Sequence, residues 1–176
     1  MQRIFSPKKS IKNITICLIS LGILNLAVNW LLNRGYHFCW SQSESMPRGL
    51  YLITPYKKLA RFDLVELSTD AEALKLAHER GWLPRGVSVI KYVAAIPGDE
   101  VSINAEGVYI NHQKYGEVLA FDRKQLPLPQ LKVHKVLGTS EYLLLGKCDP
   151  HSFDGRYFGV VFEGVIQGRA HLLWQI

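Results

Sequence analysis

Ser43-Glu44-Ser45-Met46-Pro47-Arg48-Gly49-Leu50-Tyr51 stands just beyond a membrane-length apolar segment and opens the β-patterned part of the chain. Pro47 and Gly49 impose a rigid turn, which can present a side chain at a strand end. No histidine or aspartate lies beside Ser45 to activate its hydroxyl. A serine hydroxyl is a poor nucleophile until a base takes its proton. Such a base would have to come from far along the chain. Lys91 qualifies, at the head of Lys91-Tyr92-Val93-Ala94-Ala95-Ile96-Pro97-Gly98-Asp99. A third cluster follows at Ser152-Phe153-Asp154-Gly155-Arg156-Tyr157-Phe158-Gly159.

Upstream of the serine, residues 13–33 carry no charge, and Ile14 to Leu32 is mostly Ile, Leu and Val. About twenty helical residues span a bilayer core, so this stretch is read as a transmembrane anchor in contact with the lipid bilayer. Asn25 and Asn29 share one helix face at i, i+4, either as a helix–helix contact or as polarity tolerated near an interface. Tyr36, Phe38 and Trp40 read as an aromatic belt. Arg3, Lys8, Lys9 and Lys12 precede the span, so residues 1–12 are assigned to the cytoplasm and residues 34–176 to the extracytoplasmic side of a bacterial inner membrane. A cleavable signal peptide is the competing reading. The bulky, charged Asn33-Arg34-Gly35-Tyr36 offers no small-x-small cleavage site, which favours a retained anchor.

The 176 residues leave room for one domain besides the anchor. Net charge is +6, but the four basic residues before the span account for most of it. The remaining charge is too weak and scattered to argue for nucleic acid as a partner. Neither the three cysteines nor the six histidines show metal-ligand spacing, so no metal or other cofactor is expected. Cys39 and Cys148 would share an oxidising compartment, which permits a disulfide without requiring one.

Beyond Trp40 the chain breaks into short β-like runs punctuated by Gly, Pro and Asp. Strands are expected over 50–54, 63–67, 87–96, 100–103, 108–110, 142–145, 157–166 and 170–174, with a hairpin turn at 104–107. Asp70 to Arg80, ended by Gly81, is helical in propensity and charge order. A polar, Pro-rich connection runs from Asp122 to Gln130. Many short strands without βα alternation argue a mainly β domain with a short helical insert.

Ser45 with Pro47, Gly49 and Tyr51, then Lys91, then Ser152, Asp154 and Arg156, in this order behind one anchor, resemble a serine–lysine signal peptidase. The Ser-x-Pro-x-Gly-x-Tyr spacing is similar to the conjugative-transfer (TraF-type) branch, since general signal peptidases have a spacer between their Met and Pro. Tyr92 replaces the Arg that usually follows the lysine. Lys147-Cys148 replaces a common Asp-Asn, and Gly155 replaces Ser. The resemblance implies a signal-peptidase-like β domain in which Ser45 is nucleophile and Lys91 general base. It further implies an oxyanion hole from the Ser45 N–H and the Ser43 hydroxyl, Ser152 orienting the lysine, and Asp154 and Arg156 as a supporting ion pair. Plain turn chemistry is an equal reading of Asp154. Lys91 sits in an apolar run, and burial lowers a lysine pKa by disfavouring the ammonium form; arginine could not serve there.

The implied activity is endopeptidase cleavage of translocated or membrane-embedded precursors after a small residue. Pilin-like proteins of conjugation are the expected substrates, released linear or cyclised. Apolar strands beside the site would form shallow pockets for small side chains. The alternatives are a general type I signal peptidase, a repressor-type serine–lysine autoprotease and a non-catalytic envelope assembly module. The second needs a cytosolic DNA-binding region where this chain has a span; the third would leave Ser45 and Lys91 without a task.

Overall fold

The computed structural model describes residues 7–87, 89–147 and 149–176, the first four of these through their backbone alone. Cys148, one of the two cysteines that an oxidising compartment would permit to pair, lies outside the described residues. The chain divides after Tyr36 into two units.

The first unit is helix α1, Pro7–Asn33. It takes in six residues ahead of 13, the first residue of the expected anchor. Ile11–Asn33 is long and apolar enough to cross a membrane. Asn29 Nδ2 donates to the Asn25 carbonyl at 2.9 Å and to Asn25 Oδ1 at 3.0 Å. The two polar side chains thus partner each other along their own helix.

The second unit, His37–Ile176, is mainly β. Its strands are β1 His37–Ser41, β2 Gly49–Thr54, β3 Leu64–Leu67, β4 Val89–Ala95, β5 Glu100–Asn104, β6 Gly107–Ile110, β7 Gln113–Gly116, β8 Val133–Val136, β9 Glu141–Leu145, β10 Val161–Phe162 and β11 Ile166–Gln175. A seven-stranded antiparallel sheet runs β1-β2-β11-β3-β4-β9-β10, and a four-stranded one runs β7-β6-β5-β8. Ala94, Val101, Ile103, Val108, Leu143 and Leu145 are buried in one core cluster, fed by both sheets. The insert is a 3-10 turn, Glu72–Leu74, leading into α2, Lys75–Glu79.

Residues 157–166 depart from the expected strand. The Asp154 carboxylate accepts the Arg156 N–H at 3.1 Å and caps a one-turn helix, α3 Gly155–Phe158. Gly159, at φ +81°, ends that turn. Only Val161–Phe162 is then extended before a second 3-10 turn, Glu163–Val165, leads into β11. Phe38 and Trp40 are exposed positions of β1, whose pairing with β2 sets Cys39 opposite Tyr51.

Candidate active site

Ser45 occupies the turn between β1 and β2, and every fixed residue of its motif has a task there. Tyr51 is fully buried, and its hydroxyl donates to the Pro47 carbonyl at 2.6 Å. Gly49, at φ +152°, lies so close to the Trp174 carbonyl of β11 that a Cβ would collide with it. The Ser45 carbonyl accepts the Lys147 N–H at 2.8 Å. The turn is therefore tied to β2, β11 and the end of β9, and Ser45 is only 8% exposed.

Lys91 sits in the middle of β4, between β3 and β9, with Val65 opposite it in register. It is 2% exposed. Its Nζ donates to Ser152 Oγ at 2.8 Å. Burial pushes the Lys91 pKa down to about 8; the Asp154 carboxylate opposes that shift and the Arg156 guanidinium reinforces it.

Ser152 is held in place by its own loop. Its N–H donates to the Asp149 carbonyl at 3.0 Å. Arg156 reaches back to the Pro150 carbonyl at 2.8 Å and to the Ser152 carbonyl at 3.2 Å. Arg156 also grips Asp154 with two parallel bonds of 2.8 Å, Nε to Oδ1 and Nη2 to Oδ2. Asp154, wholly buried, accepts the Gly146 N–H at 2.8 Å as well. Both readings of Asp154 hold: it is an ion-pair partner and a helix cap.

Ser43, Ser45, Lys91 and Ser152 line one cavity of about 520 Å³. Asp154 and Arg156 stand behind it and shape the Ser152 loop. Ser45 and Ser152 face each other across Gly146, where a Cβ would sit 3.1 Å from Ser45 Cβ and 2.8 Å from Ser152 Cβ. The Ser45 hydroxyl is hydrogen-bonded to the Ser43 hydroxyl at 2.8 Å, while the Lys91 amine is held by Ser152. The Ser45 N–H donates to Ser43 Oγ at 3.2 Å. The two expected oxyanion-hole donors therefore face one another.

The cavity is larger than the shallow pockets expected from strands, because much of its wall is not strand. Leu74 and Ala77 of the insert line it, with Trp82 and Leu83 just after the insert, Leu119 just before the polar connection and Leu128 within it. At its rim Arg123 bridges Glu44 (3.4 Å) and Asp149 (3.1 Å). Neither Arg123 nor Trp82 carries a sequence signal, since each acts only through contacts distant in the chain. Gly146 stands directly before Lys147-Cys148, and its role as spacer between two serines follows only from the fold.

A family model described as "Signal peptidase, peptidase S26" matches residues 10–175. Two Escherichia coli proteins, each named "Plasmid transfer protein TraF", are similar. One is 31% identical over 141 residues, covering 73% of this chain and 70% of its own length. The other is 37% identical over 94 residues, covering 48% and 53%. A solved signal peptidase I from Enterococcus faecalis covers 64% of this chain and 97% of its own, at 25% identity and a TM-score of 0.37.

Proposed function

This chain belongs to the signal peptidase family, peptidase S26, and on that premise we propose that it is a membrane-anchored endopeptidase working through Ser45 and Lys91. The observation that carries the proposal is the buried Lys91, with its pKa pushed down to about 8, sharing a cavity with Ser45. The neutral amine is the form that can accept a proton.

In the proposed reaction the Ser45 hydroxyl exchanges Ser43 for Lys91, and its proton passes to Nζ as Oγ attacks the scissile carbonyl. The Ser45 N–H turns from Ser43 Oγ to the developing oxyanion, and the Ser43 hydroxyl donates to the same oxygen. Each such donor contributes about 3 kcal/mol. Collapse breaks the C–N bond, the leaving amine takes the proton from Lys91, and an ester to Ser45 remains. Ser152 holds the amine on line throughout. Lys91 then takes a proton from the incoming nucleophile, water or an amine of the substrate itself, and passes it to Ser45 Oγ as the ester C–O bond breaks.

The relatives' name, plasmid transfer protein, supports a pilin-like precursor of conjugation as the substrate. The basic residues ahead of the apolar span, Arg3, Lys8, Lys9 and Lys12, support a cytoplasmic N-terminus with His37–Ile176 on the outer face of the inner membrane. Incubation of purified protein with a pilin precursor tests the reading, with product mass separating linear from cyclic release. Undiminished turnover by Ser45→Ala would overturn it.

A further inference from the structure

The wall of the cavity that the insert and the connection supply is built, and Leu74, Ala77, Trp82, Leu83 and Leu128 make much of it apolar. Arg80, at the end of the insert, fastens it to the connection through Asp122 at 3.4 Å and the Pro127 carbonyl at 2.7 Å. Its guanidinium also lies 5.0 Å from the Trp82 ring centre. Trp82 packs on Phe153 at 5.4 Å, and Phe153 stacks on Tyr157 at 5.8 Å. The Tyr157 hydroxyl accepts the Leu119 N–H at 3.1 Å, which closes the ring back to the segment leading into the connection. Three segments far apart in sequence thus brace one compartment.

The cleft of about 520 Å³ takes in Ser45 and Lys91 together with this apolar wall, and clefts of roughly 300–1,000 Å³ ordinarily enclose sizeable ligands. The compartment is continuous with Ser45, so whatever fills it is close to the reacting carbonyl. We propose that it receives a bulky apolar side chain, of leucine, methionine or phenylalanine class, from a substrate residue within a few positions of the scissile bond. Ala77, Trp82 and Leu128 set that preference. The proposal rests on the cleft binding peptide as the endopeptidase reading requires, and it concerns selection, not bond-breaking.

The test uses the full-length Ser45→Ala protein in detergent and fluorescence anisotropy, so that binding is read without turnover. The probes are a labelled decapeptide of Ala, Gly and Ser and a matched set carrying Leu or Phe at each position in turn. One register should bind roughly tenfold tighter or more with the bulky residue. Ala77→Phe and Leu128→Trp fill the compartment from the insert and from the connection, and either should bring that ratio towards one. Circular dichroism identifies a variant that has failed to fold, in which case the other decides. A flat scan, or a ratio unchanged in a folded filled variant, would overturn the proposal. Turnover retained by Ser45→Ala would instead sink the catalytic assignment and leave the binding scan standing.

Discussion

Replacing Lys91 by methionine should stabilise the protein while abolishing turnover. Lys91 is 2% exposed, and its pKa falls from 10.5 to about 8 chiefly because burial penalises the ammonium. Between pH 8 and 10.5 the unfolded chain keeps a proton that the folded chain has released, so stability climbs with pH through that window. Below about pH 8 both states are charged, and the folded state carries the whole penalty. At about 1.4 kcal/mol per pH unit, this amounts to about 3 kcal/mol. Methionine keeps an unbranched chain of similar reach and removes the charge. The Ser152 hydroxyl loses its 2.8 Å partner, which costs about 1 kcal/mol. The net gain of about 2 kcal/mol corresponds to a rise in Tm of about 4–8 °C at pH 7. Thermal unfolding of the full-length protein in detergent reads this directly, and the gain should be mostly gone by pH 10. A Lys91→Met protein less stable than the parent at pH 7, or a gain that grows with pH, would show that the amine is not held in an unfavourable charged state.

In the parent protein, kcat/KM should rise about tenfold from pH 7 to pH 9 and bend near pH 8, following the neutral fraction of Lys91. Lys91→Arg should be as inactive as Ser45→Ala in the same peptide assay, because arginine does not deprotonate in proteins. Gly146→Ala should lower kcat by about a hundredfold with circular dichroism unchanged, since the new methyl forces Ser45 and Ser152 apart. Protease added to spheroplasts should digest His37–Ile176 and spare an N-terminal fragment containing α1; protection of the β unit would reverse the topology.

Much of the fold was legible because short, half-buried strands leave a local mark. The expected strands at 50–54, 63–67, 100–103, 108–110 and 142–145 match β2, β3, β5, β6 and β9 to within a residue or two at each end. Strands β7 and β8 escaped notice because Gln113, Lys114, His134 and Lys135 are exposed and polar; nothing in such a stretch distinguishes strand from loop. The region from 157 to 166 failed for a different reason. Its aromatic and β-branched residues favour strand, but a side-chain cap on one N–H outweighed that preference, and the cap depends on where Asp154 is aimed.

Lys91 could be singled out because it sits awkwardly in its surroundings, whereas Ser43, Ser152, Asp154 and Arg156 came from the resemblance. A lysine in the middle of Val-Ile-Lys-Tyr-Val is a charge where a strand would bury an apolar side chain, and natural sequences tolerate such inconsistencies mainly at functional positions. The cavity wall offers no comparable clue. Asp70 to Arg80 is self-consistent as an ordinary amphipathic insert, and the Pro-rich connection is self-consistent as a loop. Their joint role exists only because Arg80 reaches Asp122 and Pro127, 42 and 47 residues on. Ion pairs across such separations follow no periodicity, so the residues that would choose a substrate remain hidden in sequence while those that would cut it do not. A peptide-selectivity assay therefore probes what the structure adds. Should filling the cavity at Ala77 change which peptides bind while Lys91 still titrates near pH 8, selection and proton transfer would be separable in one cleft. Should the two move together, the insert would also have to help keep Lys91 dry.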